Sequence, residues 1–233
     1  MIHRVLPARP TLLFIHGLWM TGAEAFAFRR RMERDHGFDT TVFAYRTTQE
    51  PLDAVIDKLR EHIERQRPDT LHIAAHSLGG LVALNFLARH HAMTPPGRLV
   101  LLGSPVKGSA AARRLSGFEF GRRLIGPVAT EVLLAAWRRD GRNAADGSRD
   151  DPSHGDLPRD TGVIAGTRPM GLGRWVAGFD EPNDGTVAVA ETELDGARDR
   201  LVLPVSHLGM LMSPRVAAAC GQFFREGRFP LGA

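Results

Sequence analysis

Short apolar runs alternate along the chain with longer stretches in which apolar residues recur every three or four positions. The first pattern suits a strand covered on both faces, the second a helix that buries one side. Strands are predicted at Thr11–Ile15, Thr40–Tyr45, Thr70–Ala75, Arg98–Gly103, Thr161–Gly166 and Arg200–Val205. Helices are predicted from about Gly22 to Arg34, from Pro51 onward, over Leu78–His90 and over Pro214–Arg225. Leu52, Val55, Ile56, Leu59 and Ile63 share one face of the second helix, and Val216, Ala219, Cys220, Phe223 and Phe224 share one face of the last. The helix after Thr70–Ala75 is apolar on most sides, which predicts burial. Such alternation predicts an α/β fold with a mostly parallel central sheet and helices on both faces.

The rhythm breaks after Gly103. Residues 106–160 are read as a small helical cap inserted after that strand, within a single domain spanning 1–233. Its clearest helical pattern runs from Val128 to Trp137, with Val128, Val132, Leu133, Ala136 and Trp137 on one side. Asp140–Asp160, rich in Gly, Asp, Ser, Arg and Pro, reads as a surface loop.

Composition narrows the function classes. A hydrophobic fraction of 43% and a charged fraction of 24% are ordinary for a folded globular chain, so disorder is not expected over most of its length. The net charge of +4 comes from scattered arginines, with Lys58 and Lys107 the only lysines. Clusters such as Arg29-Arg30-Arg31 and Arg122-Arg123 fall in predicted helices, where a solvated face explains them better than nucleic acid does. One cysteine, Cys220, rules out an internal disulfide framework and sits where packing is its expected role. The early apolar run Leu12–Ile15 is too short for a signal core or a membrane span, which predicts a soluble, cytoplasmic protein without stable membrane insertion. No His, Cys, Asp and Glu cluster has metal-ligand spacing and no glycine-rich phosphate loop occurs, so neither metal nor cofactor is implied.

The strand ending in Ala75-His76 meets the next helix through Ser77-Leu78-Gly79-Gly80. This is the form of a nucleophile elbow, a sharp turn that lifts a serine hydroxyl above a parallel sheet and requires small neighbours. Ala75 and Gly79, two positions either side of Ser77, are small, although glycine is the usual residue at the first. A serine nucleophile needs a base, and the base needs a carboxylate to fix its tautomer. Of ten histidines, His207 stands out because it follows the last strand, at the edge where an open parallel sheet gathers catalytic side chains. Asp184, in the turn-rich run Glu181-Pro182-Asn183-Asp184-Gly185-Thr186, completes the order Ser, Asp, His. Asp180 and Glu181 compete with it, while Asp195 and Asp199 read as surface charges. An oxyanion needs donors already aimed at it. The backbone N–H groups of Leu78, after the serine, and of Leu18, after the first strand and His16-Gly17, fit that need. His16 suits a structural hydrogen-bonding role, and Trp19 and Met20 either line an acyl pocket or pack in the core.

Through His16-Gly17-Leu18, Ala75-His76-Ser77-Leu78-Gly79-Gly80, Asp184-Gly185 and His207, the chain resembles the α/β-hydrolase family, in particular small bacterial lipases and esterases. Through Leu102-Gly103-Ser104-Pro105-Val106-Lys107-Gly108-Ser109 it is also similar to the hydrolase part of GPI inositol deacylases. The resemblance runs from residue 11 to about 225, the cap apart. It implies a serine hydrolase that cleaves small-molecule carboxylic esters through an acyl-serine intermediate. A thioesterase or an acyltransferase would use the same triad, and a silent hydrolase fold that binds a ligand or a protein partner is the reading from another class.

Overall fold

The computed structural model describes residues 9–110, 112, 125–133, 157–170 and 181–230. Six strands, β1 (Thr11–Ile15), β2 (Asp39–Phe43), β3 (Leu71–His76), β4 (Leu99–Leu102), β5 (Thr161–Gly166) and β6 (Asp199–Leu203), form one sheet in the order β2-β1-β3-β4-β5-β6. Every neighbouring pair is parallel. All six carboxyl ends therefore lie along one edge. The chain moves from β1 outward to β2, then crosses back to place β3 on the other side of β1. That reversal opens a crevice at the carboxyl ends of β1 and β3, where open α/β sheets bind ligands.

Burial follows the pleat. Leu13, Ile15, Ile73, Ala75, Leu99 and Leu101 join one apolar cluster with α2 (Leu52–Gln66) and α3 (Leu78–His90). Leu12, Phe14, Ala74, Val100 and Leu102 join the other with α1 (Phe26–His36) and the last helix. The central strands β3, β4 and β5 are buried at every position, whereas the edge strand β6 alternates. A sheet covered by helices on both faces requires this. Two short pieces follow β6, namely α4 (Gly209–Met212) and α5 (Pro214–Glu226). Ser213 accepts from the Val216 N–H to cap α5, Pro214 opens it and Gly227, at φ 74°, ends it.

The five apolar positions predicted for α2 are its buried residues. Cys220 packs inside α5, and its burial pushes the thiol pKa up, as befits a packing residue. Several boundaries differ from expectation by one to four residues, and three of them have a clear local reason. The β2 strand stops at Phe43 rather than Tyr45, because the Tyr45 N–H donates to the His16 ring instead of to a strand. The β6 strand stops at Leu203 rather than Val205, because Pro204 has no N–H to give the ladder. Gly22, at φ 92°, enters a single 3₁₀ turn over Ala23–Ala25 before α1 begins.

Residues 125–133 are helical and bury Ile125, Val128, Ala129, Val132 and Leu133 against the α2/α3 side of the core. They fall within the cap expected over 106–160, most of which, with Ala136, Trp137 and the bulk of the 140–160 loop, lies outside the described residues. Among the described residues no helix is long and apolar enough to cross a membrane.

Candidate active site

The turn after β3 bears the expected strain. Ser77 has φ 54° and ψ −124°, a conformation that costs a non-glycine residue about 1–3 kcal/mol and persists only where its surroundings hold it. The Ser77 N–H donates to Leu102 O of β4 at 2.9 Å, and Ser77 O accepts from Gly80 N at 3.0 Å, so both sides of the turn are fixed. The glycines are needed for space. A Cβ on Gly79 would collide with the carbonyl oxygens of Ile15 and His16, and one on Gly80 with the Ser104 side chain.

Asp184 and His207 meet beside this turn. The His207 Nδ1–H donates to Asp184 Oδ2 at 2.7 Å, and both residues are buried. Asp184 Oδ1 accepts from the N–H groups of Thr186 (2.9 Å) and Val187 (2.8 Å), and the His207 N–H donates to Asp184 O at 2.9 Å. The carboxylate is thus anchored by its own turn before it receives the imidazole. With Nδ1 carrying the hydrogen, His207 Nε2 is left as the basic nitrogen. Glycines again allow the approach. A Cβ on Gly103, after β4, would stand 3.0 Å from Asp184 Oδ2 and 3.2 Å from His207 Nδ1, and one on Gly166, ending β5, 2.9 Å from Asp184 Cβ. Of the competing acids, Glu181 is exposed; of the two read as surface charges, Asp195 is exposed and Asp199 starts β6 at the opposite edge of the sheet. Asp180 lies outside the described residues.

His76 links the pair to the serine turn. Its Nε2–H donates to the His207 carbonyl at 3.0 Å, and the two rings stand 4.5 Å apart. Burial and the neighbouring His207 lower its pKa to about 3, so it is neutral. Its Nδ1 is buried with no hydrogen-bond partner among the described residues. Sequence reasoning gave His76 no role, although a histidine directly before Ser77 was the signal available.

The loop after β1 closes the other side. A Cβ on Gly17 would lie 2.9 Å from Ser77 Cβ, so this backbone passes against the serine. The Tyr45 N–H donates to His16 Nε2 at 3.2 Å, which places the His16 hydrogen on Nδ1, and that group donates to Gly17 O at 3.0 Å. Met20 N also donates to Gly17 O, at 3.4 Å. Peptide planarity then turns the Leu18 N–H to the side away from these bonds. Leu78 is the first residue of α3, and first-turn N–H groups have no partner within their helix. Of the two suggested pocket residues, Trp19 is 58% exposed with φ 58°, and Met20 is half-buried against the α1 side of the core. Among the described residues no group of three or more His, Cys, Asp or Glu side chains could hold a metal ion.

Solved structures share this fold across nearly the whole chain. A Bacillus licheniformis lipase, BlEst2 in its mature form, matches with a TM-score of 0.70 at 18% identity over 97% of this chain and 95% of that one. A metagenomic carboxyl esterase, MGS0156, matches with a TM-score of 0.60 at 20% identity over 93% and 76%. A thermophilic esterase from Thermogutta terrifontis matches with a TM-score of 0.59 at 16% identity over 94% and 90%. No curated protein matches by sequence. The family model described as the alpha/beta hydrolase family matches residues 12–224, a span that takes in the turn at Ser77, the Asp184 loop and His207. The chain belongs to the alpha/beta hydrolase family.

Proposed function

We propose that the protein is a serine hydrolase of carboxylic esters, with Ser77 as nucleophile, His207 as base and Asp184 as the group that orients it. The single observation that carries the reading is the buried 2.7 Å bond from His207 Nδ1 to Asp184 Oδ2, beside a serine held at φ 54°. That bond leaves His207 Nε2 to accept the serine proton as Ser77 Oγ attacks the ester carbonyl. The N–H groups of Leu18 and Leu78 receive the negative charge on the carbonyl oxygen. His207 then gives its proton to the departing alcohol, and water, activated by the same nitrogen, releases the acid and restores the serine.

Apolar exposure around the site favours an acyl group over a polar substrate. Trp19, Met170 (56% exposed) and Leu208 (59% exposed) adjoin, respectively, Leu18, the Asp184-Gly185 turn and His207. The solved structures named above are a lipase and two esterases, in keeping with this substrate class. The test is hydrolysis of p-nitrophenyl esters from acetate to dodecanoate by the purified protein and by Ser77→Ala. Turnover by the first and a loss of about 10⁵-fold or more in the second is expected. Absence of turnover on every chain length would overturn the reading.

A further inference from the structure

The oxyanion loop is held on one side by a residue that the catalytic constellation leaves out. Thr47 follows β2, is buried, and accepts the Trp19 N–H on its Oγ1 at 3.2 Å. Trp19 sits at φ 58°, in the left-handed region that a tryptophan adopts only under restraint. Its N–H belongs to the peptide that follows Leu18. The peptide that precedes Leu18 is already held through Gly17 O by His16 Nδ1–H and Met20 N–H. Thr47 therefore fixes the second of the two peptides flanking Leu18, through the Trp19 N–H that it occupies.

The same residue meets the helical stretch 125–133. Gly126, at φ 78°, packs so tightly on Thr48 Cα and Thr47 O that a Cβ there would collide with both. Thr47 thus stands between the cap-side helix and the loop beside Ser77.

We propose that Thr47 is a positioning residue for the oxyanion-binding backbone, acting through the Trp19 N–H to aim Leu18 N–H at the developing charge. The proposal rests on the hydrolase reading of Ser77, Asp184 and His207. It predicts that removal of the acceptor loosens binding of the transition state more than binding of the substrate.

The test compares wild type, Thr47→Val, which keeps the shape and removes the acceptor, and Thr47→Ser, which keeps the acceptor. Steady-state kinetics on p-nitrophenyl butyrate are normalised to active sites counted with a fluorophosphonate, and affinity is measured for an alkyl trifluoromethyl ketone whose adduct carries the oxyanion. In Thr47→Val, kcat per labelled site is expected to fall about 10- to 100-fold, with KM within about twofold and ketone affinity lowered in step with kcat. Thr47→Ser is expected within about threefold of wild type on all three readouts. A merely structural role would lower the labelled fraction and leave kcat per labelled site unchanged, and that result overturns the proposal. Equal impairment of Thr47→Ser and Thr47→Val also overturns it. If Thr47→Val does not fold, Thr47→Ala carries the same expectation. A wild-type protein that neither labels nor turns over removes the hydrolase reading itself, and the role of Thr47 with it.

Discussion

At the scale of single residues, the proposed role of Asp184 can be tested separately from that of Ser77 because Asp184 uses its two oxygens for different purposes. Oδ1 holds the Thr186 and Val187 N–H groups while Oδ2 receives His207 Nδ1–H. In Asp184→Asn the side-chain oxygen can keep the turn, which places the amide NH₂ against His207 Nδ1. His207 must then carry its hydrogen on Nε2, the wrong tautomer to accept a proton from serine. The expected result is a folded protein with kcat/KM reduced about 10³- to 10⁴-fold, against about 10⁵-fold or more for His207→Ala. Melting temperatures and ester kinetics on the two variants check this, and full activity in Asp184→Asn would reassign the acid. Gly17→Ala probes the neighbouring loop. Its Cβ would crowd Ser77 Cβ at 2.9 Å and push the Leu18 backbone away, so kcat should drop about 10²-fold, the scale of losing one oxyanion donor.

Among elements, β3 carries two histidines on the face covered by α1 and α5, and both titrate against the fold. His72 accepts the Arg98 N–H on Nδ1 at 3.1 Å and packs against Phe38 and Phe224. Burial, aided by Arg98 and Arg159, lowers its pKa to about 4, and burial lowers that of His76 to about 3. Unfolded histidines titrate near 6.5, so between that value and the folded pKa the unfolded chain binds more protons than the native one. Stability contributed by the neutral rings is therefore complete above about pH 6.5 and is lost as pH falls toward 4 and then 3. Urea unfolding at pH 7.5 and pH 4.5 should show a loss of several kcal/mol, on the order of 1.4 kcal/mol per unit for each histidine. His72→Gln, which cannot titrate, should flatten that dependence. An unchanged slope would place the acid sensitivity elsewhere.

The legibility of each element tracked how local its cause was. The α2 helix was readable to the residue because Leu52, Val55, Ile56, Leu59 and Ile63 repeat at its own period. The β3–α3 junction was readable because a strained serine leaves a trail of small neighbours in sequence. By contrast, the end of β2 depends on a ring 29 positions away taking the Tyr45 N–H, and no window over 40–45 contains it. The contacts of Thr47 and His76 were hidden for the same reason, since Trp19 lies 28 positions from the first and His207 lies 131 from the second. The four-residue α4 is shorter than any period can reveal.

For the whole molecule, parallel strands separate the chemistry from much of the packing that supports it. Ser77, Asp184, His207 and the Gly17 loop gather at the carboxyl edge, whereas the aromatic cluster of Phe38, His72 and Phe224 sits near the amino end of β3. Phe224→Ala removes a fully buried ring from that cluster and should cost about 3–5 kcal/mol, or roughly 10 °C in melting temperature for a chain of this size. Turnover per active site at 25 °C should stay within about twofold of wild type, because the ring packs on Phe38 and His72, toward the amino end of β3. A large loss of kcat with little loss of stability would show that the two ends are coupled. The crevice formed where the strand order reverses between β1 and β3 is the consequence of topology on which everything else depends. The Gly17 loop, proposed to bind the oxyanion, leaves one of those strands, and the turn at Ser77 leaves the other.

The most direct measurement is covalent labelling of the purified protein with a fluorophosphonate, followed by peptide mapping. A nucleophile activated by His207 should be phosphonylated at Ser77 alone, with labelling abolished in Ser77→Ala and slowed at least about 10³-fold in His207→Ala. Failure of Ser77 to label, or modification of another serine at the same rate, would contradict the assignment of this turn as the catalytic centre.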